Sequence, residues 1–178
     1  MSPRAGRVLL VAGPPGAGKS TLGHELARRT GSVLLDLDTL TNPLLDGLGA
    51  SAHSAWTTHW NSPEHRDAVR PARYAVLLAV AHEQAVLGHD LVLVAPFTAE
   101  LTGGAEWELL RSAVAPTEPR VVWLDAPAEV LASRVRDRGE PRDVTETGIR
   151  ATKPAVPFLR IDATSTTSAQ ADLVLAAS

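Results

Sequence analysis

Residues 13–20 form a glycine-rich run whose residue types and spacing suit phosphate binding. They read Gly-Pro-Pro-Gly-Ala-Gly-Lys-Ser and match G-x-x-x-x-G-K-[ST] at every fixed position. Glycines let successive backbone N–H groups turn toward an anion, and the helix that follows adds its own unpaired N–H groups. We expect Lys19 to reach the β- and γ-phosphates of a nucleoside triphosphate and the Ser20 hydroxyl to ligate Mg²⁺. The residues predicted here to bind the nucleotide are Gly13, Pro14, Pro15, Gly16, Ala17, Gly18, Lys19, Ser20 and Thr21.

The alternative for this run is a plain turn that joins a strand to a helix. Lys19 counts against it, because it is one of only two lysines in a chain that otherwise uses arginine. An ammonium follows a phosphoryl oxygen as a compact point charge, whereas a planar guanidinium fits that space poorly.

Two carboxylates, Asp36 and Asp38, follow the second apolar run of the chain. Ligands of open parallel sheets bind outside the carboxyl ends of the strands, so both carboxylates are expected near the terminal phosphate. One task there is to orient or deprotonate an attacking hydroxyl. The other is to hold Mg²⁺, directly or through its waters. The plain alternative is that Asp38 caps the next helix, since it precedes Thr39.

Four arginines, Arg134, Arg136, Arg138 and Arg142, fall within nine residues. Arg134 and Arg138 share a helix face at i, i+4, and the glycine and proline that follow break the helix. Such a cluster on a flexible segment, 134–153, can close over a triphosphate and neutralise charge on the transferred group. The alternative is a solvated helix end whose arginines complement the helix dipole, which fits Arg136 best.

Residues 39–74 are polar, contain tryptophan and arginine, and are interpreted as a helical excursion over the sheet edge that covers an acceptor. Arg70, Arg73 and Tyr74 share one face of a long helix. Arginine combined with tryptophan suits a polar or anionic small molecule with an apolar face, although core packing is the commoner role of a tryptophan. Arg73 is the strongest candidate for a substrate contact. The full predicted acceptor set is Asp36, Asp38, Trp56, Trp60, Arg70, Arg73, Tyr74, Pro96 and Phe97.

These residues must be positioned by alternating strands and helices. Apolar runs without polar alternation, typical of strands covered on both faces, lie at 7–12, 32–37, 90–95, 120–124 and 158–162. Helical segments separate or follow them at about 19–29, 70–87, 105–114, 127–137 and 167–176. This alternation predicts an α/β fold with a parallel sheet and helices on both faces.

Composition sets limits on the class of protein. The chain has 178 residues, 44% of them hydrophobic and 21% charged, which is typical of a single globular domain, here 1–178. A formal net charge of −3 provides no basic field for nucleic acid, and no apolar run is long enough for a membrane span. The absence of cysteine excludes disulfides and thiol chemistry. We expect a cytoplasmic monomer or homodimer with no nucleic-acid or membrane partner.

With these groups of residues placed, the chain resembles the small-molecule kinases of the P-loop superfamily, which include shikimate kinase, gluconate kinase, chloramphenicol phosphotransferase and the nucleoside-monophosphate-kinase-like group. The resemblance covers nearly the whole chain, from the phosphate loop through the second-strand aspartate and the covering segment to the Arg-rich lid and last strand. It implies a three-layer fold whose five-stranded parallel sheet has the order 2-3-1-4-5, and it implies ATP and Mg²⁺.

The resemblance also implies roles for individual residues. Asp38 best matches the aspartate that contacts the acceptor hydroxyl, and Asp36 lies nearer the waters of Mg²⁺. Arg138 and Arg142 match catalytic lid arginines. Adenine is implied to lie between the helix that carries Arg134 and the loop after the last strand, whose predicted contacts are Asp162, Ala163 and Thr164.

One feature departs from many P-loop proteins, which place a magnesium-linked acidic residue at the end of the third strand. Residues 94–98 read Val-Ala-Pro-Phe-Thr and contain no carboxylate. Asp125 ends the fourth strand, and we interpret it as a helix cap.

The expected function is an ATP-dependent phosphotransferase that moves the γ-phosphate to a hydroxyl of a small metabolite or antibiotic. A regulatory nucleotide-binding NTPase is one alternative, although the aspartate that would read guanine is missing near Lys153. A kinase of a sugar nucleotide or of a polynucleotide end is the other, and the lack of a basic stripe disfavours the polynucleotide.

Overall fold

Five apolar runs form one parallel sheet in the computed structural model, which describes residues 6–49, 65–138 and 153–177. The strands are β1 (Val8–Ala12), β2 (Val33–Asp36), β3 (Leu91–Val94), β4 (Arg120–Asp125) and β5 (Phe158–Asp162). All pairs are parallel and the spatial order is β2-β3-β1-β4-β5, which confirms the predicted order 2-3-1-4-5. Every residue of β1 and β3 is buried, because helices cover both faces of these central strands.

The helices that cover the sheet are α1 (Lys19–Thr30), α2 (Leu37–Gly49), α3 (Arg70–Val86), α4 (Ala105–Ala113), α5 (Ala128–Arg138) and α6 (Thr167–Ala176). Five of them confirm predicted helices to within one or two residues. Helix α2 begins earlier than the helical excursion that we expected from residue 39. Its apolar content is spread around Pro43 and two glycines, so the sequence lacks a clear helical period there.

Two apolar clusters lie on opposite faces of the sheet. Helices α2, α3 and α4 cover one face, whose largest buried side chains include Phe97, Leu77 and Trp107. Helices α1 and α6 cover the other, around Leu22 and Ile161. The connection from β2 to β3, which contains α2 and α3, lies on the first face. That face therefore carries the predicted acceptor side of the site.

Local capping signals mark the last turn of α1 and the first turn of α6. Gly31 adopts the left-handed conformation at the end of α1, with φ 68°. Thr166 caps α6 by accepting the Ala169 N–H at 3.3 Å. Within the described ranges, no helix is both long and apolar enough to cross a membrane.

Helix α1 packs closely on β3 at Gly23. A Cβ built there would lie 2.4 Å from Val94 Cγ2, which is buried in the sheet. Only a residue without a side chain fits this contact, and α1 can therefore carry the phosphate loop close against the central strands.

We predict that Gly23→Ala lowers the free energy of unfolding by about 1–3 kcal/mol, because overpacking forces Val94 or α1 to shift. Urea denaturation followed by circular dichroism measures this change. Gly47→Ala is the matched control, since no atom lies within 4 Å of a Cβ built at that helical position. The control should hold or raise stability by up to about 1 kcal/mol. Equal effects of the two variants would contradict the close packing of α1.

A charged network ties α1 to α6 at the surface. Arg29 bonds Glu25 at 2.6 Å and Asp172 at 2.6 Å, and Arg28 bonds Glu25 at 2.9 Å. Hydrogen bonds from the two arginines lower the pKa of Glu25 from 4.5 to about 2.

This lowered pKa predicts a pH-dependent contribution to stability. A carboxyl whose folded pKa is depressed stabilises the protein above its unfolded pKa, here 4.5, and the contribution is lost as the pH falls toward 2. The difference in urea midpoint between wild type and Glu25→Gln should therefore shrink between these pH values. High salt should weaken it as well, because the groups are exposed. A difference that does not vary with pH would overturn the assignment to Glu25.

Candidate active site

The phosphate loop, residues 13–20, joins β1 to α1 and curls over the start of the helix. Gly18 occupies the cap position in the left-handed conformation, with φ 85°, so Lys19 and Ser20 belong to the first helical turn. Lys19 Nζ donates to the Pro14 carbonyl at 3.0 Å, and the Ala17 N–H donates to the same carbonyl at 3.2 Å. The lysine head therefore lies over the loop, where the N–H groups of the first turn are directed.

Gly16 lets helix α5 approach this loop. Its φ is 77°, and a Cβ built there would lie 2.8 Å from the Leu131 carbonyl oxygen and 3.2 Å from Val135 Cγ2. The loop is thus clamped between its own helix and α5, which limits the shapes its backbone can adopt.

Asp36 connects the phosphate loop to the acceptor side of the site. Its Oδ2 accepts the Ser20 hydroxyl at 2.7 Å, and its Oδ1 accepts the N–H groups of Asp38 at 2.9 Å and Thr39 at 3.4 Å. The carboxylate is buried, and it lies at the positive end of α2. The helix-capping role that we considered for Asp38 therefore belongs to Asp36, because β2 ends at Asp36 and α2 begins at Leu37.

Ser20 and Asp36 together make a donor set that fits Mg²⁺. A hydroxyl and a carboxylate in direct contact beside a phosphate loop are the hard oxygen ligands that this ion takes, with phosphate oxygens and water as further ligands. The predicted pair for the metal is thus brought together.

Asp38 lies in the first turn of α2 and pairs with Arg73 of α3. Arg73 Nη2 donates to Asp38 Oδ1 at 2.6 Å and to Asn42 Oδ1 at 3.0 Å, and its Nε donates to Thr41 Oγ1 at 2.8 Å. The Arg73 side chain is 10% exposed and that of Asp38 is 44% exposed. The arginine predicted to contact the acceptor is therefore buried against α2, and the carboxylate that it holds is the group that faces outward.

Arg70 lies one turn earlier on the same face of α3. Its Nη2 donates to both carboxylate oxygens of Glu100, at 3.0 and 2.9 Å, and its guanidinium carbon stacks 4.3 Å from the centre of the Tyr74 ring. Burial raises the pKa of Glu100, and the charge of Arg70 opposes that rise.

The segment after β3 shapes the rim beside this pair. Phe97 adopts a positive φ of 50° and is fully buried, and its N–H donates to the Tyr74 hydroxyl at 2.9 Å. Burial also raises the pKa of Tyr74. Phe97 and Tyr74 were both predicted to touch the acceptor, but their side chains lie in the core. Pro96, which precedes Phe97 in the segment after β3, is exposed.

Arg134 joins two other predicted nucleotide contacts, Gly16 and Ala163. Its Nη1 donates to the Ala163 carbonyl at 3.0 Å and lies 3.4 Å from the Gly16 carbonyl oxygen. The loop after β5 is held locally, because Asp162 Oδ1 accepts the Thr164 N–H at 2.8 Å and its hydroxyl at 2.7 Å. These bonds lower the pKa of Asp162. Helix α5, the phosphate loop and the loop after β5 thus meet where adenine is expected.

Other predicted residues differ in what can be said of them. Asp125 forms an ion pair with Arg160 at 3.0 Å and joins β4 to β5, while its role as a helix cap stays a prediction. Thr21 is exposed in the first turn of α1. Trp56, Trp60, Arg142 and the side chain of Arg138 lie outside the described residues, as does most of the predicted lid.

Sequence reasoning missed the partners of the two acceptor-side arginines. Thr41, Asn42 and Glu100 hold Arg73 and Arg70, but their spacing from those arginines is about 30 residues and carries no periodic signal. The only sequence signal for Glu100 was that an acidic residue stands shortly after the third apolar run.

The chain matches the AAA domain family over residues 8–156. It is also similar to a shikimate kinase from Corynebacterium efficiens, with 31% identity over 135 residues that cover 75% of this chain and 68% of that protein.

Solved structures with the same fold include two kinases at lower identity. A gluconokinase from Sinorhizobium meliloti 1021 is 20% identical with a TM-score of 0.62, covering 97% of this chain and 91% of that one. The Mycobacterium tuberculosis APS kinase, in complex with AMPPNP and APS, is 22% identical with a TM-score of 0.64 and covers 98% of each chain.

The phosphate loop, the sheet order and the extent of these matches all indicate the same family. The chain belongs to the AAA domain family, and it is a P-loop kinase of the shikimate kinase type.

Proposed function

We propose that this kinase transfers the γ-phosphate of ATP to a hydroxyl of a small molecule, with Asp38 as the residue that orients or deprotonates that hydroxyl. The observation that carries the proposal is the contact between Ser20 and Asp36, 2.7 Å long, with Asp38 two residues further on. This link ties Ser20 of the phosphate loop to Asp36, two residues before the half-exposed Asp38 carboxylate, and we propose that the acceptor binds between the loop and Asp38.

In the proposed reaction the acceptor oxygen forms a bond to the γ-phosphorus while the bond from that phosphorus to the β,γ-bridging oxygen breaks. The bridging oxygen keeps the electron pair and leaves as part of ADP. The acceptor proton passes to the Asp38 carboxylate, or to water that Asp38 orients. Ser20 and Asp36 would hold Mg²⁺, and the ion would supply charge neutralisation for the phosphates.

Other residues of the chain bind the phosphates and orient Asp38. Lys19 binds the β- and γ-phosphates, and the N–H groups of the loop bind the phosphate oxygens between them. Arg73 positions Asp38, because its guanidinium fixes one carboxylate oxygen while the rest of the side chain is held by α2. A carboxylate held in this way is oriented, which suits hydrogen bonding to an acceptor hydroxyl.

The nucleotide base is assigned to the groove between α5 and the loop after β5. Arg134 supports this assignment, since its guanidinium already connects Gly16 to Ala163. Asp162 and Thr164 then form the rim of the same groove. Arg138 and Arg142 are proposed to contact the transferred phosphate, as the resemblance implies.

We predict that Lys19→Ala abolishes phosphoryl transfer, because the terminal phosphates lose their point charge. Acceptor-dependent ADP formation measures the effect. Arg111→Ala is the control, since that basic side chain pairs with Glu108 and Glu118 on the surface of α4, away from the loop. Turnover by Lys19→Ala at the wild-type rate would rule out the phosphate-loop mechanism.

Asp38→Asn should lower kcat by about 10²-fold or more while affinity for a non-hydrolysable ATP analogue is kept. The amide keeps the size of the side chain but accepts a proton poorly. Single-turnover kinetics and calorimetric titration separate the two effects. Asp46→Asn is the matched control, because Asp46 is exposed on the same helix. An unchanged chemical step in Asp38→Asn would reduce Asp38 to a structural partner of Arg73.

A further inference from the structure

Gln170 is a polar side chain on the buried face of α6. It is 5% exposed, and the other buried residues of this helix are Ala171 and Val174, which pack in the apolar cluster around Leu22. Burying a side-chain amide costs free energy unless hydrogen bonds compensate it. Apolar packing therefore does not account for a glutamine at this position, and its role follows from its hydrogen bonds.

The Gln170 amide nitrogen bonds both ends of the loop after β5, residues 162–165. Its Nε2 donates to the Asp162 carbonyl at 3.2 Å and to the Ser165 carbonyl at 2.8 Å. Carbonyl oxygens only accept hydrogen bonds, so the N–H groups of the amide, and not its oxygen, face the loop. The Ser165 N–H also donates to the Asp162 carbonyl, at 3.3 Å, and closes the turn. One side chain of α6 thus fixes the separation of the two loop ends.

Two other elements hold the same loop at Ala163. Its N–H donates to the Asp125 carbonyl of β4 at 2.8 Å, and its carbonyl accepts Arg134 Nη1 of α5 at 3.0 Å. Arg134 is exposed, so water or a ligand can compete for its bond, whereas Gln170 is buried and its bonds are better shielded from such competition. Gln170 therefore fixes the loop whether or not a ligand is bound.

We propose that Gln170 is a positioning residue for the nucleotide base, which preorganises the loop after β5 and thereby strengthens binding of the base. This inference rests on the proposed function, because it uses the assignment of the base to the groove between α5 and this loop. A loop that is fixed before binding loses less conformational entropy when a ligand contacts it, so affinity rises. The side-chain bonds of Gln170 go to the loop after β5, and phosphate binding at residues 13–20 does not depend on them.

The test compares AMP-PNP with inorganic tripolyphosphate, both with Mg²⁺, by calorimetric titration. Both ligands offer linked phosphates to the phosphate loop, but only AMP-PNP carries a base. Gln170→Met keeps a side chain of similar length and helix propensity and removes both donors. We expect this variant to bind AMP-PNP about fivefold to tenfold more weakly and tripolyphosphate within about twofold of wild type. Incomplete folding lowers the fraction of protein that binds, but it does not change the ratio of the two dissociation constants.

Two further variants complete the binding experiment. Gln170→Asn keeps the amide but is one methylene shorter, so it cannot reach both carbonyls and should change the ratio in the same direction. Gln84→Met is the matched control, because Gln84 bonds His89 near the end of α3, at the opposite edge of the sheet, and its ratio should equal that of wild type. Thermal unfolding by circular dichroism checks that each variant is folded.

A measurement on the wild-type chain tests the inference without a folded Gln170 variant. The chain contains two glutamines, Gln84 and Gln170, so the loss of signals in Gln84→Met separates their side-chain amide resonances by heteronuclear NMR. AMP-PNP should shift the Gln170 amide resonances, and tripolyphosphate should leave them in place. Resonances that respond equally to both ligands, or to neither, would contradict the inference.

The outcomes separate this inference from the proposed function. If a folded Gln170→Met chain keeps the wild-type ratio of dissociation constants, Gln170 is only a structural residue of α6, and the kinase proposal stands. If the wild-type chain binds AMP-PNP no more tightly than tripolyphosphate, the base is not bound in the groove beside α5, and the inference fails. If the wild-type chain binds no AMP-PNP at all, the proposed function fails together with it.

Discussion

The contact between Ser20 and Asp36 is the interaction on which the arrangement of the site depends. It joins Ser20, the last residue of the phosphate loop, to Asp36 at the end of β2. The other oxygen of the same carboxylate accepts the Asp38 N–H and so fixes the first turn of α2, which contains Asp38. One buried side chain thereby couples the nucleotide half of the site to the acceptor half, because each carboxylate oxygen can bind a different element.

Charge compensation is the second constraint on the site. Helix α3 presents two arginines at the carboxyl edge of the sheet, and both are bound to carboxylates from other elements, Asp38 and Glu100. The arginines therefore act first as structural links that hold α2 and the segment after β3 against α3.

Much of the fold could be predicted because its signals are local. Buried parallel strands read as unbroken apolar runs, and glycine or threonine marks the ends of α1 and α6. Helix α2 was placed less well, since Pro43 and its glycines weaken the helical period. Phe97 and Tyr74 were assigned to the acceptor because position along the chain does not tell whether a ring at the sheet edge faces inward or outward. The hydrogen bond between them places both in the core.

The sequence by itself determined the chemistry of the phosphate loop, since its glycines, Lys19 and Ser20 are adjacent and their geometry follows from a single turn between a strand and a helix. The alternation of strands and helices predicted a parallel sheet, and the resemblance to P-loop kinases implied its strand order. Only the tertiary structure decided which carboxylate caps α2 and which partners Arg70 and Arg73 bind. The contacts of the two arginines join residues 28 to 35 positions apart, and they exist only once α2, α3 and the segment after β3 meet at one edge of the sheet.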